Sequence, residues 1–203
     1  MFQITNYATM QRQAEAFLPT DWGNFNIIAY AVSPDDLVPH VALVHEHFDP
    51  SVPVLLRIHS ECMTGDVFHS RRCDCGEQLT EAIDMTAKQG GVVIYLRQEG
   101  RGIGLINKLK AYNLQDQGLN TADANTHLGF DVDGRQYDLA VEIIRDLGIQ
   151  RIHLLTNNPL KVEALERAGI EIISRVPLLI EPKNENRSYL RTKRELMGHL
   201  LNI

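Results

Sequence analysis

Residues 57–75 hold all three cysteines of the chain, in the pattern C-x10-C-x-C, and this pattern restricts how the backbone can run. Cys73 and Cys75 are one residue apart, so in an extended segment their side chains point to the same side. Cys62 must fold back to reach them, and Gly65 offers a place for that turn. Catalytic zinc keeps three protein ligands and leaves one position to water, whereas structural zinc is usually closed by four. The spacing therefore predicts a zinc site.

The three cysteines are also open to roles that involve no catalytic metal. An odd cysteine count without a recognisable signal peptide argues against a disulfide framework. Buried free cysteines often behave as small apolar residues, but the neighbours of these three are Asp, Arg, Gly and Glu. A structural zinc module that binds a partner protein stays open, and it would need a fourth ligand such as His59 or His69.

The charge and the apolar pattern exclude several classes of protein. A net charge of -6 argues against a general nucleic-acid binder, which would carry a basic face. A local basic cluster can still hold an anionic small ligand. The N-terminal residues lack a cationic region followed by an apolar run, and no stretch approaches eighteen apolar residues. We therefore expect a cytoplasmic protein with reduced thiols that binds neither membrane nor nucleic acid.

The first quarter of the chain has the pattern of strands and hairpins. Alternating and apolar runs predict strands over residues 12–18, 24–32, 41–45 and 52–58. Pro19 ends the first of them, and turn-forming residues around Gly23 and Pro50 separate the others.

After Cys75 the apolar period becomes helical. Helices are predicted over residues 77–89, 105–117, 137–147 and about 159–168, and strands over 92–96, 151–155 and 170–176. Residues 119–136 are polar and predicted to be irregular, a kind of connection that is more often functional than idle. A loop over 181–188 precedes a candidate terminal helix over 189–201. The strand–helix–strand unit at 151–176 predicts parallel pairing with a right-handed crossover.

The predicted fold is therefore α/β, a mixed sheet flanked by helices with a strand-rich N-terminal part. A chain of 203 residues can form one large domain or two small ones. Because no linker or repeat interrupts the pattern, we expect a single compact domain.

The segment QEGRGIG, residues 98–104, lies between a predicted buried strand and a predicted helix. Backbone amides at such a helix start can bind phosphate, and glycines let the phosphate approach closely. A tight turn that needs glycine for its geometry alone explains the segment about equally well. Arg101 between the glycines favours phosphate binding.

Polar residues near other strand ends are further candidates. Asp133 and Arg135 flank a glycine, and the residues alone favour a solvated turn with an incidental ion pair. Thr156 and Lys161 follow a predicted parallel strand, where open α/β sheets bind ligands. Helix capping nearby and a surface lysine would explain these two as well.

Arg57, His59 and Glu61 alternate along a predicted strand end and so share one face. This placement favours a binding site over the alternative of a core histidine at position 59.

Seven segments occur in a characteristic order: RIHSEC, SRRCDCG, QEGRGIGL, NKLKAYNLQDQG, DVDGRQYDLA, LTNNPLK and KRELMGHLL. Together they resemble GTP cyclohydrolase II, the enzyme that opens riboflavin biosynthesis. The resemblance makes residues 1–203 one such domain, with residues 1–16 an unplaced N-terminal extension and 181–203 a C-terminal tail. Many relatives carry a preceding dihydroxybutanone phosphate synthase domain. The segment before Pro19 is too short for one, so we expect a stand-alone form.

The resemblance implies a reaction, cofactors and an assembly. GTP would be converted to 2,5-diamino-6-ribosylamino-4(3H)-pyrimidinone 5′-phosphate, with release of formate and pyrophosphate. The family uses one zinc ion per chain, and a triphosphate normally arrives with Mg²⁺. A homodimer is expected as well. A family variant that retains the formyl group, or a nucleotide sensor without turnover, remains an alternative.

The resemblance also assigns residues. Cys62, Cys73 and Cys75 match the zinc ligands. The residues that match GTP-contacting positions are Arg57, Ile58, His59, Ser60, Glu61, Gln78, Glu99, Gly100, Arg101, Thr121, Thr156 and Lys161. The catalytic positions are Asp133, described as proton acceptor, Arg135, described as nucleophile toward the α-phosphate, and Tyr112, which lies near the base.

Physical chemistry suggests a milder role for Arg135. A guanidinium stays protonated, with a pKa above about 12, and has no free lone pair for attack. We therefore expect Arg135 to stabilise charge while Asp133 orients or activates water. Three thiolates weaken zinc as an acid, so a base such as Glu61 or Tyr112 is expected to assist ring opening.

Overall fold

Seven strands form one sheet in the computed structural model, which describes residues 9–201. The strands are β1 (Gln11–Thr20), β2 (Gly23–Ala31), β3 (His40–His45), β4 (Val54–Ser60), β5 (Val92–Leu96), β6 (Arg151–Leu155) and β7 (Glu171–Val176). Their order across the sheet is β1-β2-β3-β5-β4-β6-β7.

The sheet is mixed, as predicted. β1, β2 and β3 pair antiparallel, and β3 also pairs antiparallel with β5. β4 lies between β5 and β6 and is parallel to both, and β6 is parallel to β7. The carboxyl ends of β4, β5 and β6 therefore meet at one edge, where open α/β sheets place ligands.

Seven α-helices complete the described part of the chain. They are α1 (Met63–Asp66), α2 (Cys75–Gln89), α3 (Gly104–Asp116), α4 (Thr121–His127), α5 (Asp138–Asp146), α6 (Pro159–Arg167) and α7 (Arg187–Met197). A short 3-10 turn, Glu99–Gly102, precedes α3. Within residues 9–201, none of these helices has the length and apolar character needed to cross a membrane.

The two faces of the sheet pack against different helices. Leu56 and Ile58 belong to the main core, which includes residues of α5 and α6. Leu55 belongs to a second apolar cluster with Ala82 of α2. Because side chains alternate along a strand, Arg57 and His59 share the face of Leu55. The domain is a single compact α/β unit, and β4 sends its polar side chains toward α2.

Two predictions of local structure are wrong. Pro19 lies inside β1, opposite Asn24, and does not end the strand. An edge strand tolerates proline because one of its two sides has no ladder to form. Residues 121–127, predicted to be irregular, form α4. Asn120 caps this helix, and its side chain accepts hydrogen bonds from the backbone N–H groups of Ala122 and Asp123, each at 2.9 Å.

The terminal helix also differs from its prediction, since it begins at Arg187 rather than 189 and ends at Met197. Gly198 adopts a left-handed conformation with φ 65°, which terminates α7 in the usual way for glycine. Part of the predicted N-terminal extension, residues 1–8, lies outside the described residues, as do 202 and 203.

Candidate active site

A cavity opens at the edge where β4, β5 and β6 end. Its wall includes the end of β4, the three cysteines, the 3-10 turn, α3 and the start of α6, and α7 contributes from the far end of the chain. All of the predicted site residues line this cavity except Ile58 and Asp133. The Ile58 side chain is fully buried in the core, although its carbonyl oxygen accepts a hydrogen bond from Lys161 Nζ at 2.7 Å.

The three cysteines meet at the cavity wall. Their Sγ atoms all lie within 4.8 Å of one another, and those of Cys62 and Cys73 are 3.6 Å apart. Tetrahedral zinc with bonds of about 2.3 Å to sulfur requires sulfur atoms to lie about 3.8 Å apart. A disulfide, with sulfur atoms about 2.05 Å apart, does not fit this separation. The cluster therefore suits a metal ion.

The histidines considered as a fourth ligand lie elsewhere. Among residues 9–201 the metal-compatible group contains the three cysteines alone. His59 Nε2 is 3.1 Å from the carboxylate of Asp66, and His69 is exposed. This arrangement supports an open coordination position over a closed structural site.

Two glycines allow the cysteines to approach. A Cβ on Gly65 would lie 3.0 Å from Cys73 Sγ and 3.2 Å from Cys62 Sγ. A Cβ on Gly76 would lie 2.1 Å from the carbonyl oxygen of Gly65. Gly65 belongs to α1 rather than to a turn with positive φ. Position 65 therefore needs glycine because α1 packs closely on the start of α2, and not because the chain turns there, as the sequence predicted.

The environment of the thiols favours a thiolate at Cys62. Hydrogen bonds from Cys73 and Cys75, and then the Lys108 ammonium, lower the pKa of Cys62. The hydrogen bond to Cys62 raises the pKa of Cys73 to about 11, and the pKa of Cys75 is raised for the same reason. These pKa directions favour a single thiolate in the metal-free cluster, and a bound dication would release the remaining protons.

Two candidate proton carriers lie on the same wall. Burial raises the pKa of Glu61, whose carboxylate is 3.2 Å from the Arg97 guanidinium. Burial also raises the pKa of Tyr112, whose hydroxyl is 3.2 Å from Thr64 Oγ1. Both groups can therefore hold a proton more readily than the same side chains in water.

Asp133 and Arg135 form a partly buried ion pair rather than a solvated one. Arg135 Nε donates to Asp133 Oδ1 at 2.7 Å, and a second guanidinium nitrogen donates to Oδ2. Their side chains are 14% and 12% exposed. Burial alone would raise the pKa of Asp133, but the hydrogen bonds from Arg135 lower it below the ordinary value. Arg135 lines the cavity, and Asp133 holds it from behind.

Arg101 carries buried hydrogen-bond donors without acceptors. Both terminal nitrogens of its guanidinium are inaccessible to water and lack a hydrogen-bond partner among residues 9–201. Its backbone has φ 66°, a left-handed conformation that costs a non-glycine residue about 1–2 kcal/mol. Buried donors are normally paired. The unmet donors on the cavity wall indicate that a ligand supplies their acceptors.

Lys161 is a second buried cation, and its ammonium donates to a carbonyl oxygen rather than to a carboxylate. Burial and then the charges of Arg57 and Arg135 lower the pKa of Lys161 well below its ordinary value. Within residues 9–201, two basic groups on the cavity wall, Arg101 and Lys161, thus have no carboxylate partner, and this end of the cavity suits an anion.

Sequence reasoning missed several residues that line the cavity, namely Lys108, Tyr189, Lys193 and His199. Lys108 precedes Tyr112 by four residues on α3, and Tyr189 precedes Lys193 by four on α7. Residues four apart share a helix face, so the spacing was a usable signal in both helices.

Comparisons with known proteins identify close relatives. The sequence profile of the family described as GTP cyclohydrolase II matches residues 11–177. A protein named riboflavin biosynthesis protein RibBA from Chlorobium phaeovibrioides is 52% identical over 98% of this chain and 49% of its own length. The protein of the same name from Bacillus cereus is 52% identical over 95% of this chain and 48% of its own length.

The chain spans about half the length of these curated relatives, and the stand-alone form stays a prediction. Among solved structures, a two-domain 3,4-dihydroxy-2-butanone 4-phosphate synthase, RibBX, from A. baumannii aligns with a TM-score of 0.43. That alignment is 20% identical and covers 85% of this chain and 41% of the other.

Proposed function

Because this chain belongs to the GTP cyclohydrolase II family, we propose that it hydrolyses GTP in riboflavin biosynthesis. The reaction opens the imidazole ring of guanine, releases formate and pyrophosphate, and leaves 2,5-diamino-6-ribosylamino-4(3H)-pyrimidinone 5′-phosphate. One observation carries the proposal. Among the residues that the structure describes, a single cavity joins a three-thiol cluster to two buried basic groups, those of Arg101 and Lys161, that lack carboxylate partners.

Cys62, Cys73 and Cys75 would hold one zinc ion. The separation of their sulfur atoms fits the ion, and the missing Cβ of Gly65 leaves the space the sulfurs need. Bound zinc supplies Lewis acidity at this end of the cavity. The other steps fall to side chains of the chain itself.

Proton transfer at the guanine end falls to Glu61 and Tyr112. A carboxylate with a raised pKa is a stronger base than an ordinary one, so Glu61 is suited to accept a proton as water adds to the ring. Tyr112 keeps its proton because its pKa is raised, and it can donate a hydrogen bond to the opening ring.

The phosphate end binds and stabilises charge. Arg101 and Lys161 would pair with phosphate oxygens, and charge-assisted contacts of this kind are the strongest hydrogen bonds available to a protein. Burial alone would lower the pKa of Arg135, but the hydrogen bonds with Asp133 raise it above its ordinary value. Arg135 therefore stays a cation and stabilises the α-phosphate in the transition state, rather than attacking it.

Analysis of products tests the proposal. Mass spectrometry of a GTP reaction should identify the ring-opened monophosphate, with formate and pyrophosphate in equal amounts. Retention of the formyl carbon in the product would assign the family variant instead. Tight GTP binding with no turnover would indicate that the protein is a nucleotide sensor instead of an enzyme.

Two variants separate the halves of the reaction. Cys73→Ser should lose formate release yet still convert GTP slowly to GMP and pyrophosphate, because the phosphate end is intact. Arg135→Ala should lose pyrophosphate release. A phosphorus or GMP label trapped on Arg135 after a rapid quench would show that this side chain is a nucleophile.

Magnesium bound with the triphosphate, a homodimer and a cytoplasmic location stay predictions. Light scattering on the purified protein tests the assembly, and titration of Mg²⁺ into the assay tests the metal. Neither outcome alters the roles of the cavity residues above.

A further inference from the structure

Helix α7 reaches the cavity although it lies outside the residues that the family profile matches. Its buried Lys193 points at the cysteine loop. Lys193 Nζ is 2.7 Å from Asp74 Oδ1, and the two side chains are 10% and 3% exposed. Asp74 is the residue between Cys73 and Cys75. Helix α7 thus contacts the residue that links two of the three cysteines.

A continuous chain of hydrogen bonds extends from this ion pair. Asp74 Oδ2 accepts from Gln78 Nε2 at 2.6 Å. Gln78 Oε1 accepts from an Arg57 guanidinium nitrogen at 2.8 Å, and the other terminal nitrogen of Arg57 donates to the carbonyl of Leu155 at 3.1 Å. The chain fixes Asp74 against both α2 and the central strands. Lys193 lies at the other end of this chain of hydrogen bonds, where it binds Asp74.

The rest of the C-terminal segment is attached to the cavity as well. The Tyr189 ring lies 4.6 Å from Lys193 Nζ and 5.7 Å from the Arg101 guanidinium carbon. Beyond α7, the backbone N–H of Leu200 donates to the carbonyl of Asn157 at 2.9 Å. These contacts hold α7 in place on two sides of Lys193.

We propose that Lys193 is a positioning residue for the metal site, acting through Asp74 to fix the loop that carries Cys73 and Cys75. This inference rests on the proposed zinc site and adds a residue that the family assignment did not supply. A buried carboxylate beside thiolates would repel them unless a cation neutralised it. Groups that orient metal ligands from outside typically change metal affinity about 10–100-fold when they are lost.

The test measures zinc affinity of the full chain by competition with a chromophoric chelator. Lys193→Met should lower the affinity about 10–100-fold, while Lys193→Arg should recover most of it because the charge returns. Arg191→Met is the matched control, since Arg191 is an exposed cation on the same helix. Parent-like zinc affinity in folded Lys193→Met would overturn the inference.

A double variant separates the loss of positioning from the effect of leaving an unpaired charge in the protein interior. Lys193→Met leaves Asp74 as a buried unpaired charge, whereas Lys193→Met with Asp74→Asn removes both charges. If the pair positions the ligands, the double variant should still bind zinc more weakly than the unmodified protein even though the buried unpaired charge is gone, because the coupling between the two residues is lost in both variants. Parent-like affinity in the double variant would show that the pair does not position the ligands.

GTP turnover is measured separately on the same samples. A parent that binds zinc, loses it on Lys193→Met and never converts GTP would contradict the proposed function and leave the positioning role intact. A parent that converts GTP while Lys193→Met keeps zinc affinity would contradict the positioning role alone. A parent that binds no zinc overturns the positioning role as well.

Discussion

Lys108 Nζ lies 3.1 Å from Cys62 Sγ and 2.8 Å from Glu99 Oε1, so one ammonium joins a thiol of the cysteine cluster to a carboxylate of the 3-10 turn. Glu99 also accepts hydrogen bonds from the backbone N–H groups of Met63 and Gly100, at 2.6 Å and 2.7 Å. The carboxylate is therefore satisfied without the lysine. Lys108 is placed to offset the negative charge that three thiolates would bring into a buried site.

Replacement of Lys108 by methionine should weaken the metal site. We expect Lys108→Met to lower zinc affinity about 10–100-fold, because the thiolates lose a neighbouring positive charge. Chelator competition measures the change, and formate release should fall with zinc occupancy. Lys110→Met is the control, since Lys110 is exposed on the same helix. Equal losses in the two variants would point to a general effect on α3.

A methyl group at position 65 should disturb the sulfur cluster. Gly65→Ala places its Cβ 3.0 Å from Cys73 Sγ, tighter than ordinary packing. We expect reduced zinc affinity in a protein that still folds. Gly118→Ala is the comparison, because Gly118 has φ 105° and open space around it. That variant should lower the melting temperature and leave zinc affinity unchanged. Unaltered zinc affinity in Gly65→Ala would show that the cysteine-bearing segments can shift to accommodate the added methyl group.

Arg101 should lower the stability of the free protein and strengthen its binding of GTP. Arg101→Gly removes a strained left-handed residue and two unmet donors, so the free protein should gain about 1 kcal/mol in its free energy of unfolding. The KM for GTP should rise about ten- to hundredfold, which corresponds to losing one charge-assisted contact of about 1.5–3 kcal/mol. Thermal denaturation and steady-state kinetics measure the two effects.

Lys88→Ala provides the reference for Arg101, because Lys88 is exposed and pairs with Asp84 in the neighbouring turn of α2. It should change neither KM nor the melting temperature by much. A lower melting temperature for Arg101→Gly with an unaltered KM would reassign Arg101 to a structural role.

GTP binding should be accompanied by proton uptake at Lys161. Its pKa is lowered in the free protein, and phosphate oxygens would restore the charged form by raising that pKa. Uptake is absent below the lowered pKa, where the free ammonium is already protonated, and grows as the pH rises through it. Calorimetry in buffers of different ionisation enthalpy measures the proton count. Lys161→Met should abolish the pH-dependent part of the proton uptake. The same proton count in this variant as in the unmodified protein would exclude Lys161 as the group that takes up the proton.

Local patterns in the sequence were sufficient for most of the sheet. Alternation along β4 correctly placed Arg57 and His59 on one face, because side-chain direction in a strand has a period of two. Glu61 follows the strand end at Ser60, so alternation does not explain its position on the cavity wall. Helix α4 was missed because its signal is a cap at Asn120, not an apolar stripe.

Contacts between distant segments could not be predicted from one sequence. Lys193 and Asp74 are far apart in the chain, and no local sequence pattern around either residue predicts their contact. The burial of the Asp133–Arg135 pair is of the same kind, since it depends on elements that pack around it. Sequence motifs identified many of the charged residues of the cavity, such as Arg57, Arg101 and Lys161, but not Lys108 or Lys193. How these residues pair needed the tertiary structure.

The position of β4 in the sheet has a consequence for how the protein folds. Val54, Leu55 and Leu56 are almost fully buried, and they pair with β6, whose first residue in the ladder is Ile152. During synthesis β4 emerges long before β6 and exposes an apolar edge until its partner is made. Distant parallel pairing is slow to form, and unpaired apolar edges invite association between chains. Refolding yield should therefore depend strongly on protein concentration.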